Sequence, residues 1–467
     1  MSARLRPFLL TAISAFSTAV LVACGGGGPG GGIVPGGRCA ATAQKQFVLD
    51  ATREWYLFQE LLPASLSIGD FATPEELLDA LTATARGQGK DRFFSFLTTR
   101  QADSSFLQEG QFIGFGFRTS IQGNRLFLPD VFEDSPASEG GLTRGAEITA
   151  IDSGTGFVPT ATILATDPNF EQAFGPSTEG VQRGLRFLRL DGQQVEVTLT
   201  KRIVTILPVP EVGGTAILAL PSNPSVQVGY INLRTFISTA ETPLRNAYAG
   251  FRAQGIQNFI VDFRYNGGGL VSVAELVGDL HGGNWAASDV YSNMRFNAAK
   301  ASNDSVHRFE QQSQSVAPVR IAFITTGGTA SASELVINSM KPWVEVAIIG
   351  EDTFGKPVGQ SAFDLSGCDL RLRLVAFKTT NANDEGDYFN GLASTLSFAC
   401  AAADDLSRTP GDSAESSTAA ALYWLGTGAC GQIMGANGVA LQKAQMTERP
   451  PLSRALSPAQ HYLPGLF

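Results

Sequence analysis

The chain changes its rhythm of apolar and polar residues twice. Between residues 39 and 108 apolar residues recur at helical spacing, as in AQKQFVLDATREWYLFQELL and in TPEELLDALTATARG. The second stretch has Thr73 as N-cap and Pro74 in the first turn, so a small helical domain is predicted over 39–108. From about residue 110 the period shortens to two. QFIGFGFRTSIQGNRLFLPDVFEDSPASEGGLTRGAEITAID alternates and is broken by Gly and Pro, which predicts short strands over 109–204. After residue 205 continuous apolar runs alternate with helical patterns. VQVGYINLRTFI, FIVDFRYNGGG, VRIAFITTGG and VEVAIIG read as strands. TPLRNAYAGFRAQG, LVSVAELVGDLHG and ASELVINSMK read as the helices between or after them. That order predicts an α/β core over 205–430 with largely parallel pairing, its site beyond the carboxyl ends of the strands. Residues 431–467, rich in Gln, Pro and Leu, read as a weakly structured extension.

Composition narrows the setting. The length, 467 residues, suits about three domains. A net charge of −9 without a basic run argues against nucleic acid as partner. MSARLRPFLLTAISAFSTAVLVAC places two Arg before an apolar stretch and small residues, the pattern of a signal peptide over 1–23. Leu21–Cys24 resembles a bacterial lipoprotein box, which implies a lipid on Cys24. Residues 24–38 then hold that cysteine and a Gly-rich tether, whose Gly25–Gly37 would span about 20 Å as a flexible coil. The expected location is the bacterial envelope, anchored through lipid, with the periplasmic face of the outer membrane favoured over the cell surface. Four further cysteines, Cys39, Cys368, Cys400 and Cys430, permit two disulfides in an exported chain. The shorter loop favours Cys368–Cys400, leaving Cys39–Cys430. No C-x-x-C pair points to a metal or redox site.

Two stretches in the α/β part carry candidate chemistry. VAIIGEDTFGKPVGQ approaches a phosphate-binding loop, but Pro357 stands where a hydroxyl should follow Lys356, and a strand-like pattern follows. TTGGTASASEL puts Thr329, Ser331 and Ser333 in a small-residue turn between a buried strand and a helix. Such a turn can present a hydroxyl beside helix N-terminal amides, although capping is the commoner role of a serine there. Asp262 and Arg264 read as a structural ion pair, and Glu334 as a helix-dipole partner. His281, His307 and His461 leave a Ser-His-Asp triad as a rival arrangement, with no histidine at a motif position.

Residues 109–204 resemble a PDZ domain. Its carboxylate-binding loop would be Ile113–Phe117, with the amides of Phe115, Gly116 and Phe117 as donors to a peptide's end. Over residues 40–400 the chain resembles the C-terminal processing (tail-specific) peptidases. VGYINLRTF, FIVDFRYNGGG, GGTASASELVINSM and VAIIGEDTFGKPVGQ carry the likeness, in order. The resemblance implies a crotonase-like α/β serine protease core, a Ser331 nucleophile, a Lys356 general base twenty-five positions on, and Gln360 orienting the lysine. It implies an oxyanion hole from the amides of Ala332 and Gly268, with Gly267 and Gly269 as alternatives. Its substrates would be unfolded or C-terminally exposed proteins, with no metal and no cofactor. Pro357 departs from the small residue commoner after the lysine, and the C-terminal part matches only loosely. The alternative reading is a non-catalytic PDZ-bearing adaptor or chaperone on the same scaffold.

Overall fold

The computed structural model describes residues 37, 39–431 and 456–467; the expected signal peptide, the expected lipidation at Cys24 and most of the expected tether lie outside the described residues. At its centre is a six-stranded sheet. Its order is Thr215–Leu220, Asn223–Asn232, Asn258–Asp262, Arg320–Thr325, Glu345–Gly350 and Phe398–Ala401. Only the first pair is antiparallel. Both faces are covered, as a parallel sheet requires. Ile321, Phe323, Val346 and Ile348 face a core shared with the helices Glu241–Ala253, Val271–His281 and Ala332–Met340. Their neighbours Ala322, Ile324, Ala347 and Ile349 face the helix Ser416–Thr427. The alternation is the two-residue period of a strand, and continuous apolar runs supply both faces. The α/β core that the pattern predicts is therefore present.

A second, five-stranded sheet stands beside it, built on the hairpin Val358–Asp364 with Arg371–Thr380. The helices Ala41–Trp55 and Pro74–Gly87 close no core of their own. They pack their apolar stripes on Val358, Leu372, Leu374 and Val375 of that hairpin. The third unit is β-rich. Phe117–Gln122, Arg125–Val131, Glu147–Asp152, Gln182–Leu188 and Gln194–Thr200 form its main sheet around Phe115, Phe117, Phe174 and Phe187. Arg234, nearly buried in the α/β core, pairs Asp130 at 2.8 Å and Glu133 at 2.5 Å and so fastens this unit to the first. Among the described residues no helix is long and apolar enough to cross a membrane.

Two sequence expectations are overturned. The disulfides are Cys39–Cys368 and Cys400–Cys430, not Cys368–Cys400 and Cys39–Cys430. Cys368 lies in the turn of the hairpin, against the residues that lead into the first helix. Cys400 lies on the edge strand of the central sheet, and Cys430 follows the helix that packs on that sheet. Loop length along the chain carries no information about that separation. The described end of the tail, 456–467, also differs from a loose extension: Ala459, Tyr462, Leu463, Leu466 and Phe467 are buried.

Candidate active site

The strands Asn258–Asp262, Arg320–Thr325 and Glu345–Gly350 run parallel, so their carboxyl ends open at one edge of the sheet. From the middle strand the chain turns through Thr326–Ala330 into the helix Ala332–Met340. Ser331 sits at the entry to that helix with φ 55°, a left-handed backbone that a serine seldom adopts. The competing hydroxyls are committed elsewhere. Thr329 Oγ1 donates to the Phe263 carbonyl at 2.7 Å, and Ser333 Oγ to the Asn266 carbonyl at 2.9 Å; both residues are buried. Ser331 is half-buried at the edge of the turn.

The glycine turn after Asp262 abuts Ser331. Gly268 has φ 106°, and a Cβ there would lie 2.8 Å from Ser331 Cβ and 2.9 Å from the Ala332 nitrogen, so only glycine fits. The amide of Gly268, expected to face a reacting carbonyl, instead donates to Asn266 Oδ1 at 2.9 Å. This is a local Asx turn, in which a side chain two residues back captures the N–H. Gly267 holds a carbonyl instead: its N–H donates to the Tyr462 oxygen at 3.0 Å.

Lys356 comes from the next strand's exit. Gly355, at φ 86°, turns the chain where a Cβ would strike the Phe389 oxygen at 2.4 Å. The strand Val358–Asp364 follows rather than a helix, so no ring of helix amides faces a phosphate and the nucleotide-loop resemblance has no structural counterpart. The ammonium is buried. It donates to Gln360 Oε1 at 3.2 Å and lies 5.0 Å from the centroid of the Phe94 ring. Gln360 in turn donates to the Phe94 carbonyl. Burial draws the lysine down to about 8, helped by Arg373 and Arg92 and opposed by Asp91 and Glu334.

Glu334 joins the two segments. One of its oxygens accepts from the Ser331 N–H at 3.0 Å and the Lys356 N–H at 2.8 Å, and the other from the Gly355 N–H at 2.7 Å. A single buried carboxylate thus holds the backbones of Ser331 and Lys356 two hydrogen bonds apart. Burial raises its pKa, against the pull of these amides and the Thr353 hydroxyl. Read from the sequence, Glu334 was only a helix-dipole partner; its place three residues after Ser331 is a capping-box signal that allowed more.

The lysine's wall was not foreseen either. It comes from the N-terminal segment, where Asp91 accepts from the Phe94 amide at 2.7 Å, the Ser95 amide at 3.1 Å and Tyr56 Oη at 2.9 Å. That carboxylate folds Phe94 over the lysine. Asp262 and Arg264 pair at 2.6 Å, with Glu415 at 3.0 Å completing a buried cluster away from Ser331. His281 bonds Tyr248 and the Val277 carbonyl, and His307 faces Asp279. His461 alone lies near the lysine, stacked on Phe96. In the β-rich unit the amides of Gly116 and Phe117 meet at one main-chain oxygen, that of Phe467, at 2.9 and 3.3 Å. Phe115 contributes a buried ring, and its carbonyl accepts from Ala137.

The model of peptidase family S41 matches residues 227–394, and that of the peptidase S41 N-terminal domain matches residues 43–96. A carboxyl-terminal-processing protease of Synechocystis is 28% identical over 280 residues, 59% of this chain and 60% of the relative. Carboxyl-terminal-processing peptidase 2 of Arabidopsis thaliana chloroplasts is 27% identical over 291 residues, 58% of this chain and 50% of the relative. The chain therefore spans between half and three-fifths of the length of these relatives. In fold it is similar to a Bacteroides fragilis structure assigned to the S41 proteases, with a TM-score of 0.62 at 23% identity, covering 80% of this chain and 95% of that one.

Proposed function

Because this chain belongs to peptidase family S41, we propose that Ser331 and Lys356 form the catalytic pair of a serine endopeptidase that acts on protein substrates through their C-terminal ends. The observation that carries the reading is the Glu334 carboxylate, which brings the segments of both residues together at the sheet edge while Lys356 stays buried. A lysine near 8 is neutral in an appreciable fraction of molecules at neutral pH, where an exposed one near 10.4 is not. The neutral amine takes the proton of Ser331 Oγ as the oxygen attacks a peptide carbonyl carbon. The oxyanion meets the amides of Ala332 and Gly267, the latter held by the Tyr462 carbonyl in this structure, while the Gly268 N–H stays on Asn266 Oδ1. The ammonium then returns the proton to the leaving amine, and the acyl-enzyme is hydrolysed by a water that the same lysine deprotonates. Gln360 holds the amine in line. The chemistry asks for no metal or cofactor.

The β-rich unit acts as a PDZ domain, with the loop Ile113–Phe117 taking the substrate's terminal carboxylate. The signal-like start and Cys24 support lipid anchoring in a bacterial envelope. Ser331→Ala and Lys356→Ala should each abolish cleavage of a denatured protein and leave the circular dichroism spectrum unchanged. Cleavage at the wild-type rate by either variant refutes the pair. Failure of a serine-directed acylating probe to label Ser331 would leave the adaptor reading in its place.

A further inference from the structure

The tail between residues 457 and 467 crosses the whole site. His461 stacks on Phe96 with ring centroids 3.7 Å apart, beside Lys356. The Tyr462 carbonyl occupies the Gly267 amide, one residue from the glycine that abuts Ser331. Pro464 covers Gly267 and Gly328, at 3.2 and 3.4 Å from where a Cβ on each would lie. The remaining residues enter the β-rich unit as an added strand. The Thr119 amide donates to the Gly465 carbonyl at 2.8 Å, and Leu466 pairs antiparallel with Arg118. The Phe467 N–H donates to the Phe117 carbonyl at 2.9 Å, and the Phe467 oxygen accepts from Gly116 and Phe117. Its ring packs 4.4 Å from that of Phe174, in the same cluster as Phe115 and Phe117.

Strand addition with a large apolar side chain in a pocket beside the strand is how an extended peptide is captured. Here the captured peptide belongs to the chain itself and also lies over the glycine turn that abuts Ser331. Residues Pro458–Tyr462, which lie at the cleft, are helical. A helical turn does not lay out a peptide bond for in-line attack, so the segment blocks the cleft without presenting a bond to it. We infer that residues 457–467 are a cis-acting plug, a product-like ligand that fills the cleft and the terminal groove together. A protein end with a large apolar last residue must displace it before Ser331 is reached.

The effect on rate rests on the peptidase reading above; the binding does not. A covalently joined ligand is present at an effective concentration of about millimolar. A tail peptide that binds in trans at about 10–100 μM would therefore keep the plug seated in roughly nine molecules of ten or more. Removing it should raise the rate about tenfold.

The experiment compares three proteins: the full chain, a chain ending at Leu456, and full-length Phe467→Asp, which buries a charge among the phenylalanines. Phe467→Asp serves as the second variant because Tyr462, Leu463 and Leu466 pack on Phe106 and Phe132, so truncation can unfold the protein. Cleavage of a denatured protein is measured alongside the anisotropy of a fluorescent peptide, SPAQHYLPGLF. The plug predicts about tenfold faster cleavage by the folded variants, and suppression of the truncated chain by the added peptide. It also predicts that the labelled peptide binds the truncated chain and not the full one. Equal rates and equal peptide binding in full-length and variant proteins overturn it, as does Ser331-dependent loss of the tail by self-cleavage. If none of the proteins cleaves, the peptidase reading falls, and the contrast in peptide binding still decides the plug.

Discussion

Glu334 offers the sharpest test of how the site is held together. Its carboxylate is fully buried and takes three backbone N–H groups, from Ser331, Gly355 and Lys356 at 3.0, 2.7 and 2.8 Å. Glu334→Ala strands all three donors, and each buried donor left without a partner costs about 1–3 kcal/mol. Water entering the vacated space recovers part of that loss, so the net cost should be about 3–5 kcal/mol, the range for breaking a buried charged network. Nothing else described ties the two segments through one atom, so the Ser331 and Lys356 backbones lose their common anchor. A displacement of about 1 Å is enough to lower a rate about 100-fold. Glu334→Gln keeps the volume and one acceptor oxygen but turns an NH₂ toward an N–H. It should lose one charge-assisted bond, about 1.5–3 kcal/mol, and about tenfold in rate. Urea unfolding gives the stability change, and steady-state cleavage of a peptide separates kcat from KM. The expected pattern is a fall in kcat, steeper for Ala than for Gln, with KM little changed. If Glu334→Ala unfolds at lower urea yet keeps the wild-type kcat, the carboxylate holds the fold alone and its role in positioning the pair is wrong.

Three other predictions concern the lysine, its glutamine partner and the first disulfide. Burial favours the neutral amine and holds Lys356 at about 8, so kcat/KM should rise with pH through a midpoint near 8, and one unit below that midpoint it should lie about tenfold under the high-pH plateau; a flat profile from pH 6 to 9 counts against a lysine base. Gln360→Ala removes the acceptor at 3.2 Å from the amine and should lower kcat at least tenfold while sparing KM. The Cys39–Cys368 bond closes a loop of 329 residues, and replacing both cysteines with Ser should lower stability by about 2–5 kcal/mol in denaturant melts. Coincident melts with and without reductant would show that this bond adds nothing.

Local pattern determined a good deal. Within VRIAFITTGG and VEVAIIG the stretches Ile321–Ile324 and Val346–Ile349 are wholly apolar, which suits strands buried on both faces, because every second residue must face a different layer. Their exits carry TTGGTASASEL and EDTFGKPVGQ, so parallel pairing alone brings Ser331 and Lys356 to one edge. What pattern does not carry is which distant segment closes over that edge. The Asp91–Phe94 turn over the lysine, the pairing of Cys39 with Cys368 and the passage of His461 and Tyr462 across the glycine turn all join residues hundreds of positions apart. Such contacts are chosen by the shape left over when the sheets and helices have packed. Periodicity reports only a residue's own element, and so residues 457–467 read as part of a weakly structured extension, while the tertiary structure lays them over the glycine turn.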